Sequence, residues 1–178
     1  MLPLMAQKRK YPVGIQTFER LITDASVYID KTDYIFKIVS SGAQNFFLSR
    51  PRRFGKSLFV STLKAYFEGR KELFKGLEID KLEKNWIQYP VIRIDLSEGR
   101  YYELDKVKGI FNMILNRYER EYGLEQKDDW KFSSRLTGII ESAFQQTGHK
   151  VVVLIDEYDA PMLAALTTLI CRSRFVSV

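Results

Sequence analysis

Two stretches decide the reading of this chain: Asn45-Phe-Phe-Leu-Ser-Arg-Pro-Arg-Arg-Phe-Gly-Lys-Ser57 and, far downstream, Val151-Val-Val-Leu-Ile-Asp-Glu157. In the first, an apolar run, Phe46 to Ser49, enters a basic turn that ends in Gly-Lys-Ser. A helical pattern opens at Lys56, with Leu58, Phe59, Thr62, Leu63, Tyr66 and Phe67 on one face and Gly69 as its stop. In the second, a wholly apolar strand ends in two adjacent carboxylates. A glycine-flanked turn at a helix start offers backbone amides, an ammonium and a hydroxyl to phosphate groups. A carboxylate at a strand end suits a hydrated divalent cation, and a second beside it suits a water-activating base.

The general phosphate-turn pattern is G-x-x-x-x-G-K-[ST], and the window here is Arg50-Pro51-Arg52-Arg53-Phe54-Gly55-Lys56-Ser57. Arg50 stands where the first glycine belongs. Gly55 lets the backbone approach phosphate, Lys56 reaches the outer phosphates, and Ser57 places its hydroxyl on Mg²⁺. Arg50, Arg52 and Arg53 are candidates for bidentate grips on anionic oxygens, with one or two of them facing phosphate. Asp156 is the expected Mg²⁺ carboxylate and Glu157 the expected catalytic base. The bland alternatives are a basic turn before an amphipathic helix and an acidic turn leading into Tyr158-Asp159-Ala-Pro161.

Around these motifs the pattern alternates. Phe18, Leu21 and Ile22 mark a helix within 14–24, Ser26–Asp30 a short strand, and Ile35, Phe36, Ile38 and Val39 a helix capped by Asp30 or Thr32 and stopped by Gly42. Leu73, Phe74, Leu77 and Trp86 are the anchors of a charged connection. Val91–Ser97 reads as a strand. Val107 to Tyr118 and Phe132 to Phe144 carry helical stripes that end at Gly123 and Gly148, with a polar loop at 126–131. Strands alternating with helices predict an α/β fold, a three-layer P-loop sandwich with a mostly parallel sheet. Val151–Ile155 should be covered on both faces, and the chemistry should gather at the carboxyl ends of the strands.

The bulk composition agrees with one globular domain. The 178 residues are 46% hydrophobic, with a net charge of +6 and a single cysteine, Cys171. One cysteine excludes a disulfide framework. Bound nucleotide alone accounts for the basic balance, because the Lys and Arg residues are scattered outside the turn and Lys8-Arg9-Lys10. No secretory leader or apolar span of membrane length is visible, so a cytoplasmic location without membrane contact is expected. His149, at a helix end, reads as a C-terminal cap. Glu125-Gln-Lys127 with Asp128-Asp129 reads as a surface loop rather than a nuclease strand.

Six stretches together resemble a known family: Tyr11-Pro-Val-Gly-Ile15, Tyr28-Ile-Asp-Lys-Thr32, Phe47–Ser57, Leu63-Lys-Ala-Tyr-Phe67, Tyr89-Pro-Val91 and Val153–Asp159. They are similar to the prokaryotic AAA-ATPase-like proteins, in which an arginine-rich turn replaces the first glycine. The resemblance implies ATP as ligand at Gly55, Lys56 and Ser57, Mg²⁺ as cofactor, and metal and water roles for Asp156 and Glu157. Adenine rests on the resemblance alone. It also implies a longer chain ending in a PD-(D/E)XK nuclease-like domain, through which nucleic acid would be a partner. The chain therefore divides into a tail at 1–10, an AAA-ATPase-like P-loop domain at 11–163, and a tail at 164–178 that departs from the family. This predicts a truncated N-terminal portion, incomplete at its C-terminus, with little turnover of its own and poor solubility. In such a sheet the acidic strand is expected beside the phosphate-turn strand and a later strand on its other side; without that later strand, Phe46–Ser49 should be a sheet edge, or be covered by the N-terminal elements or the tail. The runner-up reading is a non-hydrolysing interaction or nucleic-acid-binding module that uses the basic turn.

Overall fold

The structure, a computed structural model, describes residues 10–49, 51, 54–96, 104–126 and 131–158, with the backbone alone for 104–106. They fall into two units, Met1–Gln88 and Tyr89–Val178.

The first unit is helical. It contains α1 (Phe18–Thr23), α2 (Asp33–Ser40), α3 (Lys56–Phe67), a 3₁₀ turn (Lys71–Phe74) and α4 (Glu78–Leu82). Aromatic side chains bind these short helices together. The Phe18 ring lies 4.8 Å from Phe74 and 5.2 Å from Tyr28, and Trp86 lies 5.1 Å from Phe74. The expected anchors Leu73, Phe74, Leu77 and Trp86 all join this core. α1 packs on α3, where the Ser61 hydroxyl accepts the first amide of α1, from Phe18, at 2.9 Å. Gly69 turns the chain out of α3 with φ +69, and a β-carbon there would come within 3.3 Å of the Trp86 carbonyl.

Two expected strands are absent from this unit. Ser26 makes one isolated bridge to Lys10, and the rest of Ser26–Asp30 is irregular. The reason lies in what the next side chains do. Asp30 accepts the Glu78 amide at 2.7 Å, and Thr32, fully buried, accepts the Ile79 amide at 3.1 Å. These residues therefore cap the start of α4, which a five-residue helix needs because most of its amides lack an internal partner. The expected cap on α2 is not made by Thr32; instead Asp30 accepts the Thr32 amide at 2.8 Å. Phe46–Ser49 is the second correction. It carries no strand, and Phe46 and Phe47 are 53% and 72% exposed. Apolar alternation proposes a strand, but a strand exists only where a second segment pairs with it along a ladder, and among the described residues no such ladder is formed at Phe46–Ser49.

The second unit holds the sheet. β1 (Val91–Asp95) is followed by α5 (Leu104–Glu121), α6 (Phe132–Thr147) and β2 (Val152–Asp156). The two strands run parallel, Val91 facing Val152 and Asp95 facing Asp156. Ser97, the expected end of β1, lies outside the described residues, as does Lys127–Asp129 of the polar loop. The acidic strand is paired with β1 among the described residues. Among the described residues the sheet has two strands: α/β organisation is present, and a three-layer sandwich is not drawn.

Ile92, Ile94 and Leu96 pack with Leu115, Tyr118 and Ile139. At the helix interface Arg135 is buried and bonds Glu119 at 2.8 and 2.9 Å, with Asn112 and Asn116 each at 2.6 Å. The outer edge of β1 is closed by a side chain: the Arg93 amide donates to the Tyr118 hydroxyl at 2.6 Å. On β2, cover is one-sided. Val153 and Ile155 are 37% and 51% exposed, against the expectation of a strand buried on both faces. They share a face with Ile92 and Ile94 by register, but α5 and α6 sit over the β1 side.

Candidate functional site

The phosphate turn belongs to the first unit. Pro51, Phe54 and Gly55 are exposed, and Lys56 and Ser57 are half-buried at the head of α3. Arg50, Arg52 and Arg53 lie outside the described residues. Gly55 is the N-cap of α3, in the left-handed region at φ +74, and no side chain caps the helix start. That conformation favours glycine by its dihedral alone, since a β-carbon there would meet nothing within 4 Å. Serine, threonine or aspartate at this position would have folded an oxygen over the first amides. Glycine leaves them facing outward, toward the positive end of a twelve-residue helix. Thr62 turns its own hydroxyl back to the Leu58 carbonyl at 2.8 Å, while Ser61 serves α1, so these hydroxyls are structural.

The acids belong to the second unit. Asp156 is the last residue of β2, at the carboxyl end of the strand, and only 3% exposed. Both of its oxygens have partners. Oδ1 accepts the Glu157 amide at 3.1 Å, and Oδ2 lies 3.3 Å from the Arg93 guanidinium. The same Arg93 nitrogen donates to Asp95 at 2.8 Å. Glu157 follows with φ +53. A left-handed glutamate has no short side chain to bond locally, so this backbone is strained.

The donor chemistry suits Mg²⁺. In the first unit the Ser57 hydroxyl, and in the second the Asp156 carboxylate, are each hard oxygen donors of the type that cation takes. Among the described residues there is no cluster of three His, Cys, Asp or Glu side chains able to hold a metal.

Sequence comparison gives this geometry its context. The predicted AAA-ATPase family matches residues 12–176. The chain belongs to that family. The match continues past Leu163, the expected end of the AAA-ATPase-like domain. A similar protein, the "Uncharacterized protein in vnfD 5'region" of Azotobacter chroococcum mcd 1, is 37% identical over 163 residues. The alignment takes in 90% of this chain and 31% of that relative, so the chain spans about a third of the length of the protein it matches. No solved structure matches. No helix among the described residues is long and apolar enough to cross a membrane.

Two residues at the acidic strand end escaped the sequence reading: Arg93 and Asp95. Their signal was present in the alternation Val91-Ile-Arg-Ile-Asp. A charged pair two positions apart on an otherwise apolar strand puts both charges on one face. Only the register with β2 shows that Asp156 shares that face. His149 does not cap its helix by its ring, which stacks edge-on to Tyr89 at 5.7 Å; Gly148 closes α6 through its amide and a left-handed turn.

Proposed function

We propose that this chain is an ATP-binding phosphate-loop module of an AAA-ATPase-like protein, with hydrolysis belonging to the longer proteins of the family. The observation that carries the reading is the head of α3: Gly55 left-handed, no side-chain cap, and Lys56 and Ser57 on the first turn. The amides and the helix dipole bind the phosphates, the Lys56 ammonium balances their outer charge, and the Ser57 hydroxyl takes one position on Mg²⁺. Pro51 and Phe54 shape the turn, and Arg50, Arg52 and Arg53 add cationic grip. Asp156 orients the hydrated cation, and Glu157 accepts the proton of the attacking water. When bound, Mg²⁺ would supply charge neutralisation to the phosphates, held by the Ser57 hydroxyl and the Asp156 carboxylate.

The test is a titration of the chain with ATP and Mg²⁺, and separately with single-stranded and duplex DNA, against Lys56→Ala. Loss of ATP binding in the variant supports the reading. Unchanged ATP affinity sinks it, and DNA binding that depends on Lys56 without ATP binding transfers the turn to the nucleic-acid alternative. Glu157→Gln should keep ATP binding, because the amide preserves shape and removes only basicity.

A further inference from the structure

Asp156 does not wait for its cation with bare oxygens. Its neighbour is a guanidinium, and that guanidinium is shared. One Arg93 nitrogen lies 2.8 Å from Asp95 and 3.3 Å from Asp156, two carboxylates that face each other in register across adjacent strands. Asp156 is the buried partner, and the side chain of Asp95 is more than a third open to solvent. Of the other two guanidinium nitrogens, Nε is buried and has no hydrogen-bond partner among the described residues. Arg93 is thus held by one shared contact point, with the shorter bond directed away from Asp156.

We propose that Arg93 is a counter-ion gate on Asp156: it occupies the carboxylate as a stand-in cation and withdraws to Asp95 when Mg²⁺ and nucleotide arrive. The inference rests on the reading of Asp156 as the metal-organising acid. The physical need is plain. A carboxylate this buried carries a large desolvation cost unless a cation or hydrogen bonds compensate it. A guanidinium left on Oδ2 would repel a divalent cation at the same oxygen. Asp95 resolves the conflict, because it gives the arginine a second partner within a small rotation, on a rigid strand rather than a loop. Arg93 is a positioning residue in this scheme; it touches Asp156 and not the reacting atoms.

The scheme makes two substitutions act in opposite directions. Arg93→Met removes the competitor and leaves Asp156 to the metal. Asp95→Asn removes the alternative partner and leaves Arg93 on Asp156. Neighbours of a ligand change metal affinity by roughly 10–100-fold, and a shared contact places the expected change near the lower bound, about tenfold each way. The readout is the Mg²⁺ midpoint for thermal stabilisation at fixed ATP, with ATP affinity measured separately in EDTA. The expected result is a lower midpoint for Arg93→Met, a higher one for Asp95→Asn, and unchanged affinity in EDTA for both. Arg93→Lys keeps a cation without the fork and should fall between wild type and Arg93→Met, which covers the case in which methionine impairs folding. A purely structural role would move both midpoints the same way or neither, and either result overturns the proposal. If wild type binds no ATP in EDTA or Mg²⁺, the nucleotide reading fails by itself. The gate is then read with Mn²⁺ alone, by loss of the free-ion EPR signal, with Asp156→Asn as the blank. The same opposite ordering supports the gate, and its absence overturns it.

Discussion

Glu157 offers a direct test of whether strain is held at the acidic strand end. Its φ of +53 places a β-carbon against the following carbonyl, a conformation that costs an L-residue ~1–2 kcal/mol. Replacing the glutamate by alanine keeps that β-carbon and its cost. Replacing it by glycine removes the cost but adds ~0.4–1 kcal/mol of unfolded-chain entropy. The difference leaves glycine more stable than alanine by about 0.5–1 kcal/mol. Both variants lack the carboxylate, so the comparison cancels its loss. For a chain of this size that corresponds to about 2–4 °C in melting temperature per kcal/mol. The assay is urea unfolding of both variants with a shared slope, checked by thermal melts. Alanine matching or exceeding glycine would refute the strain argument, and with it the structural case for Glu157 as a specially presented group. In a longer relative that turns over ATP, both variants should lose hydrolysis alike, so that glycine gives a more stable and equally inactive protein.

Two further outcomes follow from the packing. Arg135→Ala leaves buried Glu119 without its guanidinium and should cost about 3–5 kcal/mol in denaturant unfolding, whereas Arg135→Met with Glu119→Leu should recover most of it; equal losses in single and double variants would show that the pair is not the reason. Glu83 is pushed up by burial, but the Tyr66 hydroxyl and the amides of Asn85, Lys84 and Trp86 outweigh this and hold its carboxyl below the usual value of 4.5. Because the folded value is depressed, its stabilisation is present above about pH 4.5 and lost as pH falls through the folded value. Tyr66→Phe should therefore flatten the acid limb of stability against pH, and an unchanged limb would remove Glu83 from it.

The sequence reported chemistry and helices better than it reported strands, for a physical reason. A helix satisfies its own backbone, so Leu58 to Phe67 and Phe132 to Phe144 announce α3 and α6 without reference to distant residues. Stop glycines at 69 and 148 act locally in the same way. A strand is a relation between segments. Phe46–Ser49 and Val152–Asp156 look alike as apolar runs, yet only the second has a ladder partner among the described residues. Likewise Asp30 and Thr32 carry capping chemistry, but their targets, the amides of Glu78 and Ile79, are remote in sequence.

The same distinction explains the candidate site. Gly55, Lys56 and Ser57 are legible because one turn of chain fixes their relations: a left-handed residue, then a helix whose first amides face outward. Asp156 is legible as an acid at a strand end. Its electrostatic setting is not, because that is supplied by a neighbouring strand. Arg93 and Asp95 reach it only through the register that sets Asp95 opposite Asp156. A buried carboxylate must be compensated in every state it visits. On the reading proposed for Asp156, a cation that comes and goes with nucleotide would oblige the protein to keep a second one of its own close by. The parallel pairing of β1 and β2 puts an arginine within reach of the acid and a second carboxylate, Asp95, within reach of the arginine.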